Sequence, residues 1–270
     1  MPANSVWEMI KAMEMPLATQ IAALYRYPVK GLSKQDLNSV TVSENACFPY
    51  DRAYAIENGP ARFDRKDPKP LPKVNFLMLM RDERLALLDS SFAEEDLTLT
   101  ISRDGRKVAS GSLETSIGRN MLEQFFGAFM SEELKGAPRI LSSKDHHFTD
   151  KPGPFVHIIN LSSVTALERA LNVEINPDRF RANIHLSGLE PWAEKKMIGK
   201  RLKINDAEIE IIEETERCAA VNVDPKTAKR DQRLPATLAQ HFGSSHFGIY
   251  GLVKKAGTFS INDTVTIIGE

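Results

Sequence analysis

The chain has 270 residues, of which 42% are hydrophobic and 26% charged, with a formal net charge of -1 and a pI near 6.6. This length can bury the core of one large or two modest domains, and the near-zero charge gives no electrostatic reason to expect nucleic acid or an anionic membrane as a partner. Two cysteines cannot form a disulfide framework, and no apolar run approaches the roughly 20 residues of a membrane-spanning helix, so we expect a cytoplasmic protein.

The first half of the chain is predicted to be mostly β. Residues 1–20 lack a continuous apolar run and are interpreted as a leader, either a frayed amphipathic turn or a disordered segment. The polar segment between Asn58 and Lys73 is predicted to be a long loop, and such loops in compact domains are often functional. Short runs rich in β-forming residues and bounded by turn residues lie at 21–27, 37–43, 52–57, 75–82, 84–89 and 96–102.

The second half begins with helical periodicity. Apolar residues recur at three- and four-residue spacing over 112–129, which predicts a helix. A buried strand is predicted at 155–160 and a helix directly after it, with Ser162 or Ser163 as the N-cap.

A third β-rich block follows, with a hairpin predicted around Asn205-Asp206. Its strands are predicted within 183–188, 200–224, 247–257 and 263–270. Many short strands, few helices and no βαβ rhythm predict an α+β fold, predominantly β, built around one or more β-barrels. The composition shift near 103–138 is the predicted boundary between two β-rich halves.

Cys218 is the candidate for chemistry, because Arg217 precedes it at the end of a predicted strand. A nearby guanidinium favours the thiolate, which is both a nucleophile and a ligand for soft metals. The alternative is that Cys218 fills a small apolar space while Arg217 points to solvent, since neighbouring residues of a strand face opposite sides. The sequence alone leaves both open. Cys47 has no such neighbour and is predicted to pack.

Three basic clusters lie at the ends of predicted elements, where loops usually bring binding groups together. Lys30 stands in "YPVKG", Arg52 in "YDRAY", and Arg179 and Arg181 in "NPDRFRANI", with Asn183 two residues later. Each cluster alone is typical of surface ion pairing. Together with Cys218 they suit a ligand that carries a phosphate and a soft metal, because Arg and Lys bind phosphate.

From about residue 20 to the end, the chain resembles the MOSC-domain proteins, named for the C-terminal domain of molybdenum cofactor sulfurases. The blocks that carry the resemblance are "YPVKGLS", "FPYDRAYAI", "DRFRANIHLSGLEPWAEKKMIGKRLKI", "ERCAAVNVDPKTAKRD" and "FGIYGLVKKAGTFSINDTVTII". The resemblance implies an N-terminal β-barrel-like domain at 21–115 and a MOSC domain at 116–270, the second a barrel similar to that of pyruvate kinase.

The resemblance also implies binding of the molybdenum cofactor, a pterin dithiolene (molybdopterin) that carries Mo and a phosphate. By this resemblance Cys218 is expected to be the catalytic residue and metal ligand. The residues that match cofactor-holding positions are Lys30, Arg52, Ser162, Arg181, Asn183 and Arg217. Pyridoxal phosphate binding is a further property that the resemblance implies.

Three positions depart from the family's pattern. Gly31 stands where serine is common, Ala182 lies between Arg181 and Asn183 where proline is common, and Ala228 follows Thr227 where glycine is common. These departures bear on cofactor retention more than on the fold.

Three hypotheses about function follow. The first is a molybdenum-dependent oxidoreductase that reduces N-hydroxylated small molecules. Because the sequence contains no Cys-rich cluster-binding segment, its electrons are expected from a separate flavoprotein or iron–sulfur protein. The second is a carrier of sulfur or of the cofactor, with a persulfide on Cys218. The third is a protein that kept the fold and lost the cofactor.

Overall fold

The computed structural model describes residues 18–144 and 146–269 and consists mainly of strands. Fifteen strands and three α-helices lie in this described part, which confirms the predicted α+β, predominantly β, class. Most of the predicted leader falls on residues 1–17, which lie outside the described residues. None of the helices in the described part has both the length and the hydropathy needed to cross a bilayer.

From residue 18 onward, the first half contains eight strands and one α-helix. In chain order they are β1 (Gln20–Arg26), β2 (Gln35–Leu37), β3 (Ser39–Val42), β4 (Tyr54–Glu57), β5 (Asp89–Ala93), β6 (Thr98–Arg103), β7 (Arg106–Ser112), α1 (Ser116–Phe129) and β8 (Arg139–Ser142). Two short 3-10 helices, Lys73–Asn75 and Glu83–Leu87, lie between β4 and β5.

The strands predicted at 75–82 and 84–89 were therefore wrong. The buried Asp82 side chain accepts a hydrogen bond from the Met78 N–H at 2.9 Å, and this holds a tight turn where a strand would need extended backbone. Leu77 and Leu85 are both fully buried. The apolar residues of this stretch pack into the core, and the pairing of the stretch with β4 is limited to an isolated bridge between Phe76 and Glu57.

The described residues of the second half form seven strands and two α-helices, with short 3-10 helices at Pro177–Phe180, Ala193–Met197 and Ala219–Asn222. The strands and α-helices are β9 (Phe155–Asn160), α2 (Leu161–Leu171), β10 (Ile184–Ser187), β11 (Arg201–Ile204), β12 (Ala207–Glu216), α3 (Leu234–Phe242), β13 (His246–Lys255), β14 (Gly257–Ser260) and β15 (Thr266–Ile268). The predicted hairpin is confirmed, because β11 and β12 pair around a turn in which Asn205 has φ +52°. Helix α3 was not predicted.

The N-cap of α2 corrects the sequence-based prediction. The cap is Asn160, whose side-chain oxygen accepts a hydrogen bond from the Ser162 N–H at 3.0 Å. Ser163 instead turns inward, and its hydroxyl donates to the buried Glu194 carboxylate. Asn is as good an N-cap as Ser, and it lies one residue earlier, at the end of β9.

The largest sheet joins both halves of the chain. Its eight strands run in the order β15-β11-β12-β13-β9-β10-β1-β2. Hydrogen bonds from the Ile21 N–H to the Asp263 carbonyl (3.0 Å) and from the Val265 N–H to the Thr19 carbonyl (2.8 Å) connect the start of β1 to the segment before β15. Because β1 pairs with β10, the segment that follows β1 lies beside the residues that lead into β10.

Two apolar clusters support this arrangement. The first fills the large sheet with aliphatic side chains of β1, β9, β10, β12 and β13. The second packs α1 against β4 to β6 through Leu122 and Phe126. Burial of a Leu or Phe side chain contributes about 1.5–3 kcal/mol, so each cluster holds its elements firmly and leaves loops to form the surface between them.

His185 in β10 leads to a prediction about acid stability. It is 2% exposed, and burial, with Lys34 nearby, lowers its pKa to about 3. The unfolded chain binds a proton at this residue below about pH 6.5, whereas the folded chain does so only near pH 3. The unfolding free energy therefore falls as the pH drops through this window.

We expect His185 to lower the unfolding free energy by about 2 kcal/mol between pH 7 and pH 5. His185→Phe keeps the ring that packs on Tyr25 at 4.8 Å and removes the titration. Urea unfolding at both pH values measures the difference. An unchanged pH dependence in this variant would contradict the assignment.

Candidate functional site

A cavity of about 630 Å³, called here the main cavity, opens between the two halves of the chain. Its walls come from the loop after β1, the start of β4, the 148–151 segment, the turn before β10, and β12 with the residues after it. Six of the seven predicted site residues line it: Lys30, Arg52, Arg181, Asn183, Arg217 and Cys218.

Arg217 and Cys218 line the same cavity because β12 has already ended at Glu216. Cys218 is the N-cap of a 3-10 helix, Ala219–Asn222, so the alternation of a strand no longer applies to it. Its side chain is half-buried. Lys73 lies nearby, and although burial lowers the pKa of this lysine, Asp150 and Cys218 together raise it. The structure thus places the sulfur at a polar cavity wall and not in an apolar space.

Three arginines, Arg52, Arg181 and Arg217, form what we call the guanidinium cluster. The Arg52 Nη2 donates to the Arg181 carbonyl at 2.9 Å, and the Arg217 Nη2 donates to the Phe180 carbonyl at 2.6 Å. Arg52 and Arg181 have φ values of +50° and +53°. Such backbone costs on the order of 1–3 kcal/mol for a residue with a side chain and collects at ligand sites.

Tyr27 supports two members of this cluster from behind. The guanidinium carbon of Arg181 lies 4.1 Å, and that of Arg52 4.4 Å, from the centroid of its ring. Burial raises the pKa of Tyr27 to about 12, so the phenol stays neutral and adds no negative charge. The ring therefore holds both cations in place without neutralising either one.

Two of the three guanidinium groups have no counter-charge. Arg52 pairs with the Asp51 carboxylate, but neither Arg181 nor Arg217 forms an ion pair within residues 18–144 and 146–269. The Nη2 of Arg181 and the Nε of Arg217 are buried without a hydrogen-bond partner. Burial and the nearby Arg52 lower the pKa of Arg181 to about 10, so it stays charged at neutral pH. Unpaired buried cations at a cavity are suited to binding an anion.

Lys30 and Lys73 form a second basic group in the same cavity. Lys30 is 7% exposed, and its ammonium donates to the Phe148 carbonyl at 2.9 Å and pairs with Asp150. Lys73 contacts the other oxygen of Asp150 at 3.4 Å. Although burial raises it, these two ammonium groups hold the pKa of Asp150 below its usual range. One carboxylate therefore forms ion pairs with two lysines.

His157 in β9 is neutral. Burial, together with Arg217 and Arg52, lowers its pKa well below the ordinary range. Its Nε2 lies 3.2 Å from the Arg217 Nη1 and accepts that hydrogen bond. The neutral ring thus orients Arg217 and does not repel its positive charge.

Of the predicted residues Asn183 and Ser162, only Asn183 lines the main cavity. Asn183 lines the cavity, but its amide oxygen accepts from the His157 N–H at 3.1 Å and its amide nitrogen donates to the Tyr25 carbonyl at 3.2 Å. It fastens β9 to β1 beside the guanidinium cluster. Ser162 does not line the main cavity and lies in the first turn of α2. Roles for both in cofactor binding stay predictions.

No sequence pattern singled out Lys73, Asp150 or Tyr27 as a site residue. Lys73 ends the long polar loop at 58–73, and that loop was the only signal for it. Tyr27 stands in the "YPVKG" block, where only Lys30 was singled out. Asp150 lies about 120 residues from Lys30 along the chain, so no local pattern connects them.

A comparison with protein-family models matches the C-terminal part of the chain, which supplies several residues of this cavity. Residues 143–266 match the model of the MOSC domain. The chain carries a MOSC domain. This domain supplies Asp150, Arg181, Arg217 and Cys218, whereas Lys30, Arg52 and Lys73 come from the chain before it.

Curated relatives match well beyond the MOSC domain. The chain is 25% identical over 240 residues to a protein named molybdenum cofactor sulfurase from Caenorhabditis elegans, covering 85% of this chain and 33% of the relative. It is 28% identical over 139 residues to human mitochondrial amidoxime-reducing component 1, covering 47% and 40%. The chain thus spans about a third of the sulfurase.

Among solved structures, the chain is similar to the YuaD protein of Bacillus subtilis. The match has a TM-score of 0.44 and 13% identity, and it covers 93% of this chain and 96% of that one.

The three departures from the family's sequence pattern have distinct positions. Gly31 has φ +86°, and a Cβ there would lie 3.1 Å from the Leu85 Cδ1 and 3.2 Å from the Leu77 carbonyl oxygen, so serine would be strained. Ala182 is fully buried in the apolar cluster under α2 and α3. Ala228 has φ +58° in the turn that follows Asp224.

We expect Ala228→Gly to raise the unfolding free energy by about 1 kcal/mol, because a left-handed backbone is strained for alanine and is not strained for glycine. Urea unfolding measures the change. Ala182→Gly is the control, since Ala182 is buried without positive φ and should lose stability. A loss of stability in Ala228→Gly would show that the turn is not strained.

Proposed function

We propose that this protein binds the molybdenum cofactor in the main cavity and reduces N-hydroxylated compounds. The single observation that carries the proposal is that one cavity is lined by a half-buried cysteine and by two partly buried arginines, Arg181 and Arg217, which form no ion pair within the described residues. A thiolate is a ligand for a soft transition metal, and guanidinium groups bind phosphate. The MOSC domain and the relative named amidoxime-reducing component support the same assignment.

The residues present fit the cofactor. The guanidinium groups of Arg181 and Arg217 line the cavity without an ion pair in the described part of the chain, and such groups can donate to phosphate oxygens. Within the described residues no three His, Cys, Asp or Glu side chains are grouped to hold a metal ion. Cys218 would be the protein's ligand because its half-buried thiol lines the cavity and a thiolate binds soft metals, and the organic part of the cofactor would supply the other ligands. Pyridoxal phosphate binding stays a prediction with no support of its own.

When bound, the cofactor supplies two-electron redox chemistry, so that an N-hydroxylated base, two electrons and two protons give the base and water. Cys218 would hold the metal at the cavity wall, and the nearby Lys73 would add positive charge beside it. Arg181 and Arg217 would hold the phosphate, and Tyr27 and His157 keep these arginines oriented. The electrons come from a separate flavoprotein or iron–sulfur protein.

Metal analysis of the purified full chain tests the proposal. From a host that makes the cofactor we expect molybdenum near one atom per chain, together with reduction of an N-hydroxylated base when a redox partner is supplied. Absence of metal with a cyanide-releasable sulfur on Cys218 would support the carrier of sulfur or cofactor. Absence of both would contradict cofactor binding.

A further inference from the structure

The Asp150 carboxylate pairs with two lysines of the main cavity, Lys30 and Lys73. The basic groups around it would suit an anionic ligand, yet this carboxylate lies among them and neutralises two. Lys30 contacts one of its oxygens and Lys73 the other. An arrangement of one carboxylate between two ammonium groups is the one that a bound phosphate oxygen would also make.

The position of Asp150 allows it to leave. Its side chain is 46% exposed, whereas the side chain of Lys30 is 9% exposed. Asp150 also lines a second cavity of about 480 Å³ on the other side of the 148–150 segment. The carboxylate therefore has open space on both sides and can turn away without displacing core side chains. Lys30 cannot, since burial holds its ammonium in the cavity wall.

The charge of the ligand decides whether the Asp150 carboxylate leaves the two lysines. With Asp150 paired to the two lysines, Arg181 and Arg217 are cations of the cavity wall that form no ion pair in the described part of the chain. A phosphate dianion at these arginines would repel the Asp150 carboxylate across the same cavity. Its oxygens could also replace that carboxylate at the lysines, and two charges bind ammonium groups better than one.

We propose that Asp150 is a specificity-determining residue, a built-in competitor that occupies the lysines of the empty site and that only a dianionic phosphate group displaces. This inference rests on the proposed function in one respect, namely that the cavity binds a phosphate. Asp150 stabilises the empty protein and lowers the affinity of the cavity for weaker, singly charged anions.

Asp150→Asn tests the proposal in the full chain purified from a host that does not make the cofactor. The probes are inorganic phosphate and, as a singly charged anion, chloride, both titrated calorimetrically at low ionic strength. We expect the variant to bind phosphate at least about tenfold more tightly than the wild type, because a like charge has been removed. Chloride affinity should rise by a larger factor, so that selectivity for phosphate falls.

Glu94→Gln is the matched control. Glu94 is 50% exposed and pairs with the buried Arg26, whose side chain is 3% exposed, but it does not line the main cavity. Both variants lose an ion pair with a buried cation, so both should melt at a lower temperature than the wild type. Only Asp150→Asn should bind phosphate more tightly.

The outcomes separate the two proposals. If the wild type binds phosphate and Asp150→Asn binds it equally or more weakly, Asp150 merely supports the cavity wall and the competitor is ruled out. If neither protein binds phosphate, the phosphate site of the proposed function fails, and this inference fails with it. A lower melting temperature with tighter binding is the combination that a purely structural role does not produce.

Discussion

Replacing Cys218 with serine is expected to lower reductase activity on the order of a hundredfold and to reduce the bound molybdenum. A hydroxyl is a poor ligand for a soft metal that a thiolate holds well. Cys218 is half-buried and lines the cavity, so serine, which is of similar size, should not disturb the fold. Metal analysis and turnover of an N-hydroxylated base on the same preparation measure both effects.

Two comparisons make this result specific. Cys47→Ser changes the other half-buried cysteine, which does not line the main cavity, and should leave metal and activity intact. Phosphate binding to the cofactor-free Cys218→Ser protein should match the wild type, since the guanidinium cluster is untouched. A Cys218→Ser protein with full metal content and full activity would show that this sulfur is not the ligand.

Replacing Arg181 with glutamine is expected to weaken phosphate binding about tenfold to a hundredfold, because a hydrogen bond to a charged group contributes about 1.5–3 kcal/mol. Its buried Nη2 has no partner in the empty protein. Removal of an unpaired charge should therefore cost little stability beyond the contact with Tyr27, about 0.5–1 kcal/mol. Calorimetric titration with phosphate and thermal unfolding measure the two quantities.

Arg201→Gln serves as the control for Arg181→Gln. Arg201 pairs with Glu208 at 3.1 Å on the exposed face of the β11–β12 hairpin, so its loss should change neither quantity appreciably. A large fall in melting temperature for Arg181→Gln with unchanged phosphate affinity would mean that the cluster holds the fold together and does not bind an anion.

Much of the fold was predictable because local patterns determine local structure. The alternation in β12 and the Asn205 turn predicted a hairpin, and the periodicity of α1 predicted a helix. Prediction failed where apolar residues serve packing alone. The stretch with Leu77 and Leu85 reads as strands, yet the Asp82 side chain turns the backbone there.

The candidate site was predictable in part for a similar reason. Cys218, Lys30, Arg52 and Arg181 stand in short sequence blocks that resemble those of one family, so their chemistry could be named. Lys73 and Asp150 stand in no such block. They reach the cavity only because folding brings Asp150, which lies 120 residues from Lys30 and 77 from Lys73 along the chain, against both lysines.

By itself the sequence determined the β-rich class, the hairpin of β11 and β12, and the types of side chain available for an anion and a soft metal. These depend on neighbours along the chain. The tertiary structure alone decided that Arg217 and Cys218 share one wall, that Arg181 and Arg217 lack a counter-charge, and that Asp150 lies between two lysines. Burial and charge pairing depend on which distant segments meet, and that is decided only when the sheet that joins both halves has formed.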